Sequence, residues 1–177
     1  MTSGSHFKRP NTKVLFIAGA LLAMTALASL GAYLTYPKDA AEAMNRGFYG
    51  AARTYLGKAA AAGSAKAQNE LANLHYLGLG GERNHRVAVE WYLKSARQKY
   101  ASAQINIARM YRHGYGVNQD VIRAFAWLRQ ARINGSETAE NQMRWIAGSL
   151  SLGPNQIQLA RDKYGTLQSL LAKNEKP

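Results

Sequence analysis

The chain has no cysteine among its 177 residues. That absence excludes a disulfide scaffold and a thiolate nucleophile, and leaves a bacterial periplasm and a cytosol equally open. Acidic side chains are scarce, 10 against 23 Lys plus Arg. There is no paired-carboxylate signature and no serine-bearing elbow, so neither acid–base nor nucleophilic catalysis has a visible carrier. The chain reads as a non-enzyme. Its four histidines, His6, His75, His85 and His113, are not spaced as ligands within one helix. No metal, no cofactor and no small-molecule substrate is expected.

The scarcity of acid leaves a strong positive balance. Before Pro37 the only basic residues are Lys8, Arg9 and Lys13; the remaining 20 basic and all 10 acidic residues follow it, a formal +10. Such a field favours anionic partners: lipid headgroups, acidic polysaccharide, acidic protein faces or nucleic acid. The bases on the expected second helices are Arg83, Arg86, Lys94, Arg97, Lys99, Arg123, Arg129 and Arg132. A basic surface that only keeps the domain soluble is the alternative.

One long apolar run stands out. Residues 14–36 carry no charge over 23 positions, and as a helix they would extend roughly 35 Å, enough to cross a hydrocarbon core of about 30 Å. Two readings stand. In the first, the run is an uncleaved signal anchor, with Tyr33 and Tyr36 at the interface and the basic tail 1–13 in the cytoplasm. In the second, Ala26 and Ala28 mark a cleavage site after Ala28, which would release a periplasmic protein. The run continues past Ala28, as an anchor does. Lys38, Arg46 and Arg53 follow the span closely, so a cytoplasm-facing domain is the third possibility. Gly19 with Ala23, and Ala28 with Ala32, are small-residue pairs that permit close helix packing in a membrane.

The rest of the chain is repetitive. Residues 67–102 align with 103–138 at a period of 36: Ala67 with Ala103, Leu71 with Ile107, Gly78 and Gly80 with Gly114 and Gly116, Ala88 with Ala124, and Trp91 with Trp127. Periods of this size belong to stacked helical units. Each unit reads as two helices, at 65–77 and 85–99, then at 102–113 and 120–134. Ala67, Leu71 and Leu74, like Ala103, Ile107 and Met110, lie on one stripe of their helix. Trp91 and Trp127 are expected in equivalent buried sites, and Ser102 and Asp120 as N-caps. "YRHGYGVNQD" at 111–120 is then a helix-hairpin corner and not a phosphate loop. No strand precedes it, and no Lys-Ser or Lys-Thr pair follows its last glycine.

These residues resemble Sel1-like repeats, relatives of the tetratricopeptide repeat with a longer corner. The second unit carries Ala103, Ile107-Ala108, Tyr111, Gly114-x-Gly116-Val117, Asp120, Ala124, Trp127-Leu128, Ala131 and Gly135. The first departs at His75 for Tyr, Gly81 for Val and Asn84 for Asp, which predicts a looser corner. Ala52, Tyr55, Ala59, Ala60 and Gly63 form an earlier second helix, behind a short stretch opened by Asp39 and Glu42. The expected layout is a basic tail (1–13), a transmembrane helix (14–36), a connector (37–46), an all-α solenoid (47–153) and a C-terminal capping helix (154–177). The resemblance implies binding rather than chemistry, with a partner protein in a membrane complex of the bacterial envelope. An anionic polymer is the competing partner. First helices build the inner groove of such a solenoid, which nominates Asn69, Asn73 and Tyr76, then Ile105, Arg109 and Arg112, then Asn141 and Trp145. The structural alternative has the arginines solvated and Trp145 in the core.

Overall fold

The computed structural model describes residues 36–149 and 153–163. Apart from Tyr36, the apolar run 14–36, its cleavage motif and its small-residue pairs lie outside them. No helix among the described residues is long and apolar enough to cross a membrane. The described chain is helical throughout: α1 (Ala40–Asn45), α2 (Tyr49–Ala61), α3 (Ala65–Leu77), α4 (His85–Arg97), α5 (Ala101–His113), α6 (Val121–Ile133), α7 (Glu137–Ser149) and α8 (Pro154–Lys163). Each helix from α1 to α6 packs on the next, and α8 returns onto α6. The stub α1, only six residues long, precedes α2 as its incomplete partner.

The repeat unit sets where helices begin. Ser64 Oγ accepts from the Ala67 N–H at 3.3 Å, and Ser136, 72 positions on, accepts from Ala139 at 3.3 Å. The equivalent position between them is Tyr100, which precedes α5 without any side-chain cap. The expected cap at Ser102 is therefore corrected: Ser102 lies inside the first turn, two positions past the repeat's own capping site. Asp120 does cap α6, accepting from Arg123 N–H at 2.8 Å. Second helices end slightly earlier than expected, at Arg97 and Ile133, because the next residues already form the exit turn.

Both corners have the same geometry. Gly78 and Gly114 end their helices in the left-handed region, at φ 74° and 72°, which a glycine adopts without steric cost. Asn84 N–H donates to the His75 carbonyl and Asp120 N–H to the Tyr111 carbonyl, each at 2.9 Å. Asn84 caps α4 by accepting from Val87 N–H, the role Asp120 has at α6. The looser first corner is thus overturned. Its departures compensate one another: the Arg53 guanidinium occupies the space a Cβ on Gly81 would fill. Arg53 Nη2 also lies 3.1 Å from His75 Nδ1 and donates to the Glu82 carbonyl at 3.2 Å. One repeat later the same places hold Val89, Val117 and Tyr111, all in or against the large core cluster.

Gly80 and Gly116 lock each corner to the preceding unit. A Cβ on Gly116 would stand 2.6 Å from the His85 carbonyl, and one on Gly80 would collide with the Tyr49 carbonyl. The backbone approaches there too closely for any side chain. Buried glutamines make a second repeated tie. Gln68 Nε2 donates to the Ala60 carbonyl at 3.0 Å and Gln104 Nε2 to the Ala96 carbonyl at 3.2 Å. These carbonyls belong to a helix's last turn, where no intrahelical donor is available.

Two apolar clusters result. Ala43, Ala51, Ala52, Leu56, Ala60, Ala67, Leu71 and Leu74 form an alanine-rich one, and a larger one runs from Ala72 to Ile146. Trp127 is fully buried in the larger. Trp91 is not its equivalent, which corrects the expectation. It is only partly buried, packs against both clusters and lies under Lys94 Nζ at 4.0 Å from its ring. The reason is coverage: α6 is packed by α5, α7 and α8, whereas α4 packs mainly on α3 and α5.

Candidate partner-binding face

Arg109 and Arg112 are three residues apart on α5, so they share one face of it. Each guanidinium reaches a ring on a different neighbour. Arg109 lies 5.8 Å from the ring centroid of Tyr76 on α3, and Arg112 lies 4.9 Å from that of Trp145 on α7. Three successive first helices are bridged in this way. Trp145 is 57% exposed, so the reading that placed it in the core is excluded.

Polar side chains hold these groups. Arg109 Nη2 donates to Asn106 Oδ1 at 2.7 Å, while Asn106 Nδ2 donates to Asn69 Oδ1 at 2.9 Å. The Tyr92 hydroxyl donates to Asn73 Oδ1 at 2.6 Å. Burial pushes the Tyr92 phenol well above its ordinary pKa, with Arg109 opposing, so it stays a donor. The expectation that Asn69 presents itself in the groove is therefore corrected, while Asn73 stays half-buried with its oxygen engaged. Asn69 is buried, and both are engaged in the network beneath Arg109, because an unpaired buried amide is expensive. Ile105 likewise leans against the core cluster. Asn141 is exposed and accepts from Arg144 Nη2 at 2.8 Å. The structure thus brings Tyr76, Arg109, Arg112 and Trp145 together, with Asn73 and Ile105 half-buried as Tyr76 and the two arginines are, and buries Asn69.

Three contributors escaped the sequence reading. Asn106 aligns with Glu70 in the repeat, so the position does not keep one residue type from unit to unit. Tyr115, the variable residue inside Gly114-x-Gly116, lies 6.0 Å from Tyr76, 5.2 Å from His85 and 5.2 Å from His113, centroid to centroid. His113 Nε2 accepts from Arg112 Nε at 3.0 Å, so this nitrogen is unprotonated. Burial, then Arg112 and Arg109, hold His113 below its usual pKa. An aromatic residue in a glycine corner was the available signal for Tyr115.

The basic residues divide. Arg123 lies 3.7 Å from Asp120, Arg132 lies 3.4 Å from Glu140, and Lys94 covers Trp91. Arg83, Arg86, Arg97 and Lys99 are exposed. Two open cavities include none of Tyr76, Arg109, Arg112 and Trp145. One, of about 510 Å³, is lined by Arg132, Glu137, Glu140, Arg144 and the nominated Asn141, and another, of about 490 Å³, by Asp39, Met44, Ser64 and Glu70. The face itself is open surface of the kind that meets a macromolecule.

Comparison with known proteins agrees with this geometry. The Sel1 repeat family matches residues 65–100 and 101–136. Among curated proteins, protein sel-1 homolog 2 of Homo sapiens is 34% identical over 65 residues, and that of Rattus norvegicus 35%; each match covers 36% of this chain and 9% of the relative. Among solved structures, a Sel1 repeat protein from Oxalobacter formigenes is 34% identical with a TM-score of 0.53, over 54% of this chain and 28% of that one. c5321, a protective antigen present in uropathogenic Escherichia coli strains that displays an SLR fold, is 26% identical with a TM-score of 0.60, over 79% of this chain and 33% of that one. The chain therefore spans a minor part of the length of each of these relatives. Residues 65–136 thus match two Sel1 repeats, and they lie within an all-α helical solenoid.

Proposed function

We propose that this protein is an adaptor or assembly subunit that holds a partner protein against the α3–α5–α7 face. The observation that carries this reading is the pair of guanidiniums, Arg109 on Tyr76 and Arg112 on Trp145, bridging three helices at the surface. Arginine and tryptophan are preferred anchors of protein interfaces, and here the arginines are positioned before any partner arrives. The apolar run 14–36 serves as an uncleaved anchor in the bacterial inner membrane, with the N-terminus cytoplasmic and the solenoid periplasmic. The partner belongs to a membrane complex, since anchor and solenoid then engage it together at raised effective concentration.

Affinity purification from mild-detergent membranes tests this. Arg109→Ala with Arg112→Ala should release the co-purifying protein while leaving the helical signal intact, and Arg97→Ala with Lys99→Ala should not. The exposed Arg83, Arg86, Arg97 and Lys99 support a second reading, an anionic-polymer binder. In that case binding falls with each base removed, regardless of face, and falls steeply with salt over the ordinary range. Retention of the chain in membranes after alkaline carbonate, with the solenoid cleaved only by protease added to the periplasmic side, is expected of the anchor. A mature N-terminus at Ser29 would replace it with a cleaved signal.

A further inference from the structure

Resting on that reading of the α3–α5–α7 face, we infer that its ligand is an extended acidic segment of a protein, with two carboxylates and an apolar side chain beside them. The first reason is charge. The carboxylate pairs among the described residues are Arg46–Glu42, Lys66–Glu70, Arg123–Asp120 and Arg132–Glu140. Neither Arg109 nor Arg112 is among them. Their hydrogen bonds run to neutral acceptors, Asn106 Oδ1 and His113 Nε2. Both side chains are partly exposed, and each guanidinium has five N–H donors, most of them unspent.

The second reason is placement. Arg109 and Arg112 leave one face of α5, and their guanidiniums reach toward α3 and α7 respectively. The two forks therefore lie across the face from one flanking helix toward the other, and an extended segment that crosses it with two acidic residues meets them in turn. A carboxylate matches the planar guanidinium fork in two-bond geometry, and the stacked rings already restrain each fork.

The third reason is the aromatic surface beside the arginines. Trp145 at 57% and Tyr115 at 37% exposure flank the arginines, through the Arg112–Trp145 contact on one side and the His113–Tyr115 stack on the other. A peptide segment can set an apolar side chain on those rings while its carboxylates meet the guanidiniums.

The test pans a phage-displayed library of random dodecapeptides on the full-length chain in mild detergent. The inference expects enriched sequences with paired acidic residues next to an apolar one. Synthetic copies should bind about tenfold or more weakly to Arg109→Gln with Arg112→Gln, and similarly when their own Glu is replaced by Gln. Arg109→Lys with Arg112→Lys should recover only part of the affinity, since lysine keeps the charge without the planar fork. Far-ultraviolet dichroism checks that each variant stays folded. Enriched peptides without paired acids, still lost on Trp145→Ala, would overturn the acidic ligand and leave the face as the partner site. Binding indifferent to both the arginine and the Trp145 variants would overturn both readings, as would a failure to enrich anything over bare support. Dextran sulfate bound more tightly than any enriched peptide would also overturn it, and would favour the polymer.

Discussion

Lys99 is the non-glycine residue with positive φ among the described residues, at 61°. It stands where the neighbouring units have Gly63 and Gly135, at φ 97° and 89°. The left-handed conformation brings a Cβ against the following carbonyl, so Lys99→Gly should stabilise the domain by about 1 kcal/mol, read as a higher denaturation midpoint. His75 is a residue-scale oddity of another kind. Burial, and then Arg53, hold its pKa below the ordinary 6.5. The unfolded chain therefore binds a proton more readily than the folded one, so stability is full above pH 6.5 and declines as pH falls toward the depressed folded value. His113 is shifted in the same direction and adds to the slope. His75→Gln, which keeps an acceptor for Arg53, should flatten the dependence of the melting temperature on pH below 6.5.

At the scale of helices, equivalence in the repeat is not equivalence in energy. Trp127 is wholly enclosed, whereas Trp91 is only partly buried beneath Lys94. Trp127→Ala should cost about 3–5 kcal/mol, as for large aromatic truncations in a core, and Trp91→Ala clearly less. Urea titration of the two variants separates them; equal losses would mean that α4 is as well covered as α6. The same lesson applies to caps. Ser64 and Ser136 do at their helix starts what Tyr100 cannot do at the start of α5. The α5 start is held instead by packing and by Gln104, whose carbonyl oxygen accepts from Asn134 at 2.9 Å.

At the scale of the whole solenoid, stability follows the clusters. Units in a stacked array contact mainly their neighbours, so local opening can occur at one end without the other. The alanine-rich cluster of α1 to α3 offers small side chains, while the cluster that runs from Ala72 on α3 to α7 includes Tyr92, Ile107, Met110, Trp127 and Leu128. Amide hydrogens of α1 and α2 should therefore exchange faster than those of α5 and α6, measured by hydrogen–deuterium exchange and mass spectrometry. Uniform protection from α1 to α7 would show one cooperative unit.

The period of 36 is a property of the sequence alone. It set the helix pairs, the left-handed glycines at 78 and 114, and the cap at Asp120, because each depends on local geometry that residue type restricts. Tyr76, Arg109, Arg112 and Trp145 were also legible as candidates, since helical spacing puts them on the outward faces of first helices. What those faces do was decided by tertiary contact. Asn106 reaches across to Asn69 and takes it out of reach of a partner, a contact between units that no alignment of the repeats implies. Arg53 fills the corner that Gly81 vacates, 28 positions away, and so restores a geometry the departures seemed to loosen. Trp91 and Trp127 share a register but not an environment, because only α6 has α8 packed against it. Local pattern determines where a helix starts and turns; how deeply a side chain is buried depends on which helix comes to lie over it, and only the folded chain brings that helix there.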